Sequence, residues 1–367
     1  MATSAATTTV MTPNARIDVS VINDHIKKLT EPLYRKHLLL GMMRKKGRII
    51  SNCSGKGFDW RVKFRRATPQ TGDDMSTNTF QRMNRYKKAE LPWRRLWYGE
   101  AISDFEKRCA GGPEALIKLV SEWAKSATDD CNEYFATEIF GDGDSTTTPD
   151  HIHGLETLFK TNTGYAAISS SVFVKTGNSD TYAGLYTQVG KYSSDWTGTF
   201  PDGTGSETYH FWSPWWVDTT NANHSASTKT WPNTWRECLR KLSTAQQALV
   251  GQQPDIIILA PEYLRQAKES LDAKERIEVT AASDAVDLGF KTVNFEGIEL
   301  AAEYGVSGVG YGVCYDKMEL RLLGQSQLFE AKKDYDIETN TDRLLLECYS
   351  NMKFESPIYF SKLSAVS

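Results

Sequence analysis

An acidic, glycine-rich stretch followed by two histidines contains the residue types that most readily bind a metal ion. The stretch contains Asp142, Asp144 and Thr146, and His151 and His153 follow it. The first three alternate as at the start of an EF-hand calcium loop, but His153 stands at the twelfth position, where that loop needs a glutamate. His151 and His153 alternate as on one face of a strand, and no third ligand has a characteristic spacing to them. The sequence therefore predicts no metal site.

Two glycine-rich segments approach catalytic or nucleotide-binding motifs without completing them. Residues 305–308 begin like the G-x-S-x-G nucleophile elbow, but Val309 takes the place of the last glycine. Residues 308–312 do not fit the dinucleotide fingerprint, and no P-loop lysine follows them. The chain has 46 aspartates and glutamates, and none is marked out as a catalytic pair. We therefore expect no catalytic residues, no enzymatic activity and no cofactor.

The composition is that of a globular protein without a strongly charged partner-binding domain. The 367 residues are 40% hydrophobic and 24% charged, enough for one large or two ordinary domains with a core. A net charge of −3 argues against a dedicated nucleic-acid binder. Six cysteines without a C-x-x-C pair favour reduced thiols. No signal peptide or long apolar run is visible, so we expect no membrane association.

The longest periodic pattern of apolar residues in the sequence predicts one amphipathic helix over residues 113–140. Pro113 suits a first helical position, and Gly141 suits the end. Apolar residues follow at steps of three and four, which places them on one stripe. The expected core contacts are those of Leu116, Leu119, Trp123, Tyr134 and Phe135. Such a helix would be roughly 40 Å long at 1.5 Å per residue.

An alternating segment before this helix predicts a two-stranded hairpin. Its apolar face carries Phe58, Trp60, Val62 and Phe64. A polar stretch over 68–84 separates it from a second strand over 86–97. Because a protruding hairpin cannot cover its own apolar face, we expect that face to pack on a neighbouring chain. The interleaved basic residues leave open a stacking surface for single-stranded nucleic acid.

A basic stretch over residues 35–66 has its highest charge density near one point. The central residues are Arg44, Lys45, Lys46 and Arg48. One interpretation is a solvated surface. The other is an arm that contacts neighbouring chains or faces packaged DNA, where nonspecific attraction to phosphates is sufficient.

Tryptophans cluster in the least regular part of the chain, residues 155–230. A Tyr-Ala-Gly-Leu segment begins at Tyr182, and a Trp-rich segment covers 211–216, with a Gly/Thr/Ser-rich insertion over 190–207 between them. One interpretation is a set of packing anchors. The alternative is a platform that stacks sugars, formed by Trp196, Trp212, Trp215 and Trp216.

The last third of the chain predicts helix, buried strand, helix and then strands. The helices are expected over 234–250 and 262–272, with a strand bounded by Pro254 and Pro261 between them. Further strands are expected over 288–302, 312–316, 319–323, 343–349 and 352–363.

This order of elements, together with two local motifs, resembles tailed-phage major capsid proteins with the Hong Kong 97-type fold. The motifs are the acidic glycine turn at 140–144 leading through Pro149 to Gly154-Leu155, and the Pro-Asp-x-Ile-x-Leu segment at 254–259. The resemblance implies an α+β fold divided into five parts. They are an N-terminal arm (1–54), an extended hairpin loop (55–98), a peripheral domain with the spine helix (99–154), an axial domain with the Gly/Ser/Thr/Trp-rich insertion (155–334), and C-terminal strands returning to the peripheral domain (335–367).

The function implied by the resemblance is structural. Many copies would form hexamers and pentamers of an icosahedral head shell around double-stranded DNA, made in the host cytoplasm and located in the virion. The hairpin would lie over a neighbour's spine helix. Expected partners are further copies of the chain, a scaffolding protein, a portal and, in some shells, a decoration protein. Two alternatives are an encapsulin-like compartment and a carbohydrate-binding β-rich protein that uses the Trp-rich insertion.

Overall fold

In the computed structural model, a long helix and two β-sheets organise the part of the chain that the structure describes. That part comprises residues 31–63, 70–77, 80, 86–103, 105, 109, 113–144, 149–159, 166–167, 172–175, 181–187, 212–270, 292–306, 308–325 and 327–365. The helices are α1 Glu31–Lys36, α2 Leu38–Lys45, α3 Pro113–Glu138, α4 Trp231–Val250 and α5 Pro261–Glu269. We call α3 the spine helix.

The strands follow in chain order. They are β1 Ile49–Cys53, β2 Gly57–Lys63, β3 Tyr86–Pro92, β4 Arg94–Ser103, β5 Ala166–Ala167, β6 Val174–Lys175, β7 Thr181–Tyr182, β8 Leu185–Tyr186, β9 Trp215–Asp218, β10 Ile256–Leu259, β11 Val293–Phe295, β12 Ile298–Ala302, β13 Gly310–Val313, β14 Met318–Leu323, β15 Glu330–Asp336, β16 Thr341–Phe354 and β17 Ser361–Ser364.

The five-stranded sheet is built around β16, which is 14 residues long. Ser350 of β16 pairs with Arg94 of β4 and with Leu322 of β14, so these two strands lie at opposite edges of β16. The strand β15 pairs antiparallel with the first half of β16, and β1 pairs parallel with β14. Alternate β16 residues, among them Leu346 and Cys348, are buried toward the core, as expected for a sheet with one face on the core.

The six-stranded sheet has the order β11-β12-β10-β13-β17-β9. Its central strand β10 was expected from the apolar run between two prolines, and all four of its residues are buried. Ile256 and Ile258 of β10 pack in one apolar cluster, with α2, the spine helix and the five-stranded sheet. Ile257 and Leu259 pack in a second cluster, beneath α4 and α5. Core therefore covers both faces of this sheet.

Residues 37–43 pack in the subunit core and β1 joins its sheet, which corrects the expectation of an arm for this part of residues 1–54. Residues 38–43 of α2 are all buried, and they join the same apolar cluster as the spine helix. The strand β1 then adds to the edge of the five-stranded sheet, with Ile49 opposite Leu320. Residues 1–30 lie outside the described residues.

The last strand, β17, pairs with β13 and β9 in the six-stranded sheet. The expectation that the strands of 335–367 all return to the peripheral domain is therefore wrong for β17. After β16 ends at Phe354, a 3-10 turn at Pro357–Tyr359 redirects the chain. The strand β17 lies close to β13 because Gly312 has no side chain. A Cβ at this position would lie 2.2 Å from the Ser361 hydroxyl oxygen.

The spine helix confirms the predicted helix, with one error in its buried face. Phe135 is fully buried, and its ring lies 6.1 Å from that of Phe329. Tyr134, predicted in the core, is 50% exposed because it is the neighbouring position on the helix and points away from that cluster. The side chains of Leu116, Leu119 and Trp123 lie outside the described residues. After the helix, residues 155–159 form a 3-10 helix.

Candidate assembly surfaces

The base of the hairpin rests on the five-stranded sheet of its own chain. The Arg321 guanidinium lies 5.2 Å from the ring centroid of Phe58, and the Lys353 ammonium lies 5.5 Å from that of Trp60. Glu319 connects the two cations, because its Oε2 lies 2.8 Å from Arg321 Nη2 and 3.2 Å from Lys353 Nζ. Cations over aromatic faces are attracted by the ring quadrupole. The hairpin base is thus held in a socket formed by β14 and β16.

Two indole hydrogen bonds fix the socket further. Trp60 Nε1 donates to the carbonyl of Glu355 over 2.9 Å, and Trp93 Nε1 donates to the carbonyl of Gly55 over 2.9 Å. Phe58 and Val62 are only 5% and 6% exposed within the single chain. The expectation that their apolar face requires a neighbouring chain is therefore wrong at these two positions, because the single chain already covers both, with Arg321 and Trp93 against Phe58. Phe64 lies outside the described residues.

Tyr182 links the hairpin, the five-stranded sheet and the Trp-rich segment. Its hydroxyl donates to the Met352 carbonyl over 3.1 Å and accepts from the Phe354 N–H over 2.8 Å. Complete burial raises the pKa of this phenol, so it stays protonated and can donate at all ordinary pH values. The ring stacks on Trp212 at 6.1 Å. The structure thus brings the Tyr-Ala-Gly-Leu segment and the Trp-rich segment together.

The turn after Tyr182 positions the second hairpin strand. Ala183 has a φ of 53° and Gly184 a φ of 76°, the left-handed pair expected in a tight turn. The Ala183 carbonyl accepts a hydrogen bond from the Glu90 N–H over 3.1 Å. Backbone contacts therefore hold β3 from outside its own hairpin, and the direction in which the hairpin leaves the subunit is defined.

The tryptophans predicted as an alternative sugar-binding platform are buried. Trp212, Trp215 and Trp216 are each at most 5% exposed. Trp215 Nε1 donates to the Ile358 carbonyl over 3.0 Å, and Lys362 Nζ lies 5.1 Å from the Trp216 ring centroid. A ring can stack on a sugar only if one face is open to solvent, so this alternative is wrong for these three residues. Trp196 lies outside the described residues.

By contrast, the far part of the hairpin exposes large apolar side chains. We call this part, from Arg61 to Tyr86, the distal hairpin. Met75, Phe80 and Tyr86 are all among the exposed large hydrophobic residues. Arg61 and Lys63 are exposed on the opposite face of β2 from Phe58. An extended element with exposed apolar groups at its far end is typical of an interaction surface.

One face of the five-stranded sheet is a second exposed surface, which we call the outer sheet face. On β4 it consists of Arg95, Trp97, Gly99 and Ala101, and on β16 of Arg343, Leu345, Glu347 and Tyr349. Trp97 is 62% exposed. The Arg95 guanidinium lies 5.8 Å from the Trp97 ring centroid and 5.6 Å from that of Tyr349.

A buried carboxylate organises the charges on the outer sheet face. Glu347 is almost fully covered, with Oε2 3.0 Å from Arg95 Nη2 and Oε1 bonded to Lys332. Burial by itself would raise the pKa of Glu347, but these two cations lower it below its ordinary value. The carboxylate therefore stays ionised and fixes two cationic side chains on this surface.

Next to this ion pair network the outer sheet face forms a depression of about 480 Å³. Small side chains at Gly99 and Ala101 leave the space, and Leu345 provides an apolar floor between Lys332 and Arg343. The sequence analysis did not identify this surface. The alternation of exposed residues along 95–101 was the available signal, but the second strand was predicted to end at Trp97.

The predicted basic residues lie on the surface at the end of α2. Arg44, Lys45 and Lys46 are exposed, with the Arg44 guanidinium 4.4 Å from the Tyr34 ring centroid. Arg48 forms an ion pair with Asp316 at 2.6 Å. The cations thus sit on a rigid helix end anchored by the buried residues that precede them.

One constellation has the connectivity of a catalytic triad. Cys238 Sγ lies 3.6 Å from His224 Nε2, and His224 Nδ1 lies 3.7 Å from Glu237 Oε2. Burial raises the pKa of the Cys238 thiol to about 12, so the nucleophilic thiolate does not form near neutrality. The Cys238 and His224 side chains are fully buried, and His224 Nε2 also lies 2.8 Å from the Asp218 carbonyl. We interpret the group as a structural contact between the start of α4 and the preceding loop.

The two histidines of the acidic turn separate in the structure. His151 Nδ1 lies 2.9 Å from Glu138 Oε1, whereas the His153 ring is buried and its Nδ1 lies 2.9 Å from Asn351 Nδ2. Among the described residues, no three His, Cys, Asp or Glu side chains are arranged to hold a metal ion. Within the same residues, no helix combines the length and apolar character needed to cross a membrane.

Comparison with known proteins identifies the fold. No family model matches the sequence, and no curated protein matches it significantly. The cyanophage A-1(L) capsid asymmetric unit is similar with a TM-score of 0.55 and 14% identity, over 85% of this chain and 88% of that chain. The capsid of a native GTA particle gives 0.54 and 10%, over 89% and 90%. A structure from Mycobacterium phage Adephagia gives 0.50 and 10%, over 90% of each chain.

At these identities the similarity establishes the fold. The chain has the α+β fold of phage capsid proteins, and the predicted fold class is confirmed. The likeness covers most of both chains.

Proposed function

We propose that the protein is a major capsid protein whose copies form the hexamers and pentamers of an icosahedral phage head shell. The observation that carries this proposal is the capsid fold, matched over 85–90% of the chain in the structures compared. A closed shell of identical chains needs heterologous contacts between different surfaces of neighbouring copies. The distal hairpin and the outer sheet face are two such surfaces, and both expose large apolar or stacked aromatic side chains.

The hairpin extends the subunit toward a neighbouring copy, and its fixed base defines the direction in which it extends. Because Phe58 and Trp60 are fixed in the socket of their own chain, the distal part extends from a defined origin. We infer that the inter-subunit role belongs to the region beyond Lys63 and Tyr86, which projects over the peripheral domain of a neighbouring copy. The hairpin predicted over residues 55–98 thus has two parts, a base that packs in its own subunit and a tip that contacts the neighbour.

The shell would enclose double-stranded DNA. Support comes from the fold and from the exposed cations Arg44, Lys45 and Lys46, which suit nonspecific attraction to phosphates or to neighbouring chains. A portal, a scaffolding protein and a decoration protein are further partners that such a shell would use, and the virion is the location that the proposal implies.

A shortened hairpin tests the proposal. Lys63 and Tyr86 are opposite each other in the ladder, so replacing residues 64–85 with Asn-Gly joins them by a two-residue turn in the observed register. We expect the subunit to keep its circular dichroism spectrum, because the socket and both sheets remain. We expect electron microscopy and sedimentation to show no shells, because the reach to the neighbour is lost.

A same-length control separates reach from side-chain chemistry. In that variant, residues 70–77 are replaced with glycine and serine, which keeps the span but removes Met75 and the neighbouring carboxylates. Shells formed by the control but not by the shortened chain would assign the role to reach. Normal shells from the shortened chain would contradict the inter-subunit role of the hairpin. An absence of particles from the unaltered protein, under all conditions that keep it soluble, would contradict the capsid function itself.

A further inference from the structure

A histidine interrupts the chain between the first two helices. His37 has an extended backbone, with φ −110° and ψ 112°, and separates α1 from α2. Its side chain is buried, and neither ring nitrogen has a hydrogen-bond partner. A buried imidazole without such a partner is costly, since polar groups inside proteins are normally paired. The position therefore needs an explanation beyond helix geometry.

The group that faces His37 is a buried carboxylate from a distant part of the sequence. Glu303 follows β12, and its Oε1 lies 3.6 Å from His37 Nδ1, within ion-pair range but too far for a hydrogen bond. Glu303 Oε2 accepts a hydrogen bond from the Leu39 N–H over 3.0 Å, which caps the start of α2. The side chain of Glu303 is 3% exposed. One carboxylate thus binds the beginning of α2 to the end of a sheet strand.

The surroundings connect this pair to the spine helix. The Glu303 N–H donates to the Leu259 carbonyl over 3.1 Å, and Gly305 lies against the spine helix, where a Cβ would be 3.5 Å from the Phe140 ring. Lys36, one residue before His37, forms an exposed ion pair with Glu133 of the spine helix. Among the side chains that the structure describes on α1 and the spine helix, these two charged groups lie beside the pair. The cations of α2 lie at its opposite end.

We propose that His37 and Glu303 form a proton-holding latch that fixes the start of α2, and with it α1, against the six-stranded sheet and the spine helix. With one proton, the pair is either an imidazolium facing a carboxylate or a neutral imidazole facing a neutral acid, and neither form leaves an unbalanced buried charge. Loss of that proton leaves a buried carboxylate supported by one N–H. This inference concerns the subunit and does not depend on the proposed shell function.

The direction of the pH dependence follows from Glu303. Burial raises the pKa of its carboxyl group, while the imidazole and the Leu39 N–H oppose that rise. For a group with a raised pKa in the folded state, the stabilisation is complete below the ordinary value of about 4.5 and is lost as the pH rises through the raised value. The latch therefore holds at low pH and loosens as the pH rises from about 4.5 to the raised pKa of Glu303.

Hydrogen exchange on the full-length protein tests the latch. After correction for intrinsic exchange, the peptide covering Leu38–Lys45 should open up to about tenfold more readily for each pH unit between about 4.5 and the raised pKa of Glu303, and its opening should level off above that pKa. A peptide covering residues 238–248 of α4 serves as the internal reference and should not follow this course. A pH-independent opening of Leu38–Lys45 between pH 5 and 9 would overturn the proposal.

Matched variants assign the effect. Glu303→Gln keeps an oxygen acceptor for the Leu39 N–H but cannot titrate, so the pH dependence should disappear. Glu133→Gln removes the exposed neighbouring ion pair and should leave the dependence unchanged. His37→Gln removes the imidazole that lowers the pKa of Glu303, so the transition should move to higher pH. An unchanged dependence in Glu303→Gln, or an unshifted transition in His37→Gln, would each contradict the latch.

Discussion

The two sheets of this subunit differ in what covers them. The six-stranded sheet has core on both faces, because alternate residues of β10 enter two separate apolar clusters. The five-stranded sheet has core on one face, and the hairpin base rests over Arg321 and Lys353 at one end of the other face. Its outer face carries Arg95, Trp97 and Tyr349, and no part of the chain that the structure describes covers Trp97.

This difference separates stability from interaction within one chain. A residue between two packed layers loses solvent and contacts on all sides, so truncating it removes transfer energy and leaves a cavity. A residue on the outer sheet face retains contact with water and contributes little to the isolated subunit. We therefore expect substitutions in the six-stranded sheet to lower the free energy of unfolding, and substitutions on the outer sheet face to lower particle yield.

The largest effect is expected at Trp235 of α4, in the apolar cluster between the six-stranded sheet and the helices α4 and α5. Its ring lies 4.9 Å from that of Phe295, and its Nε1 donates to Ser270 Oγ over 2.6 Å. Trp235→Ala should lower the free energy of unfolding by about 3–5 kcal/mol, through lost burial and the loss of the hydrogen bond to Ser270. Urea denaturation of the soluble subunit measures this change. A loss below about 1 kcal/mol would show that this side of the sheet is not tightly packed.

An intermediate effect is expected at Glu237 on α4, and it depends on pH. Burial would raise the pKa of this carboxyl group, but hydrogen bonds from Lys241 and Ser225 lower it to about 2. A lowered pKa means that the stabilisation is present above about pH 4.5 and is lost as the pH falls toward 2. Glu237→Gln should therefore cost roughly 1–3 kcal/mol at pH 7 and progressively less at lower pH.

Denaturation midpoints at pH 7 and pH 3 measure the Glu237 effect. Glu262→Gln is the matched control, because Glu262 has a similarly lowered pKa but is fully exposed on α5, bonded to Arg265. Exposed ion pairs contribute little to stability, so the control should show a much smaller difference. Equal effects of the two substitutions would mean that partial burial does not decide the strength of the Glu237 contacts.

The smallest effect on stability is expected at Trp97, on the outer sheet face. Because its side chain is mostly exposed, Trp97→Ala should change the free energy of unfolding by less than about 1 kcal/mol. If the outer sheet face is a contact between copies, the same substitution should reduce particle yield, since large aromatic residues often dominate interfaces. Particle counts by electron microscopy and urea denaturation, on the same preparation, separate the two. A loss of stability without a loss of assembly would show instead that Trp97 stabilises the subunit and does not contribute to a contact between copies.

The sequence by itself determined the local elements and their order. The apolar run between two prolines specified β10, and Pro113 together with the apolar stripe specified the spine helix. The alternation of Phe58, Trp60 and Val62 specified a strand with one apolar face. These features depend on periodicity and backbone restriction over a few residues, which any stretch of sequence displays directly.

Only the tertiary structure decided which partner each apolar face meets. The hairpin base packs under Arg321 and Lys353, whose distance along the chain gives no local signal. Tyr134 and Phe135 are adjacent on the spine helix, and the position of Phe329 on another element decides which of them is buried. The strand β17 joined the six-stranded sheet because a turn at Pro357–Tyr359 and the open edge of β13 received it. Periodicity defines a face, but the free energy of burial depends on long-range neighbours that only the folded chain brings into contact.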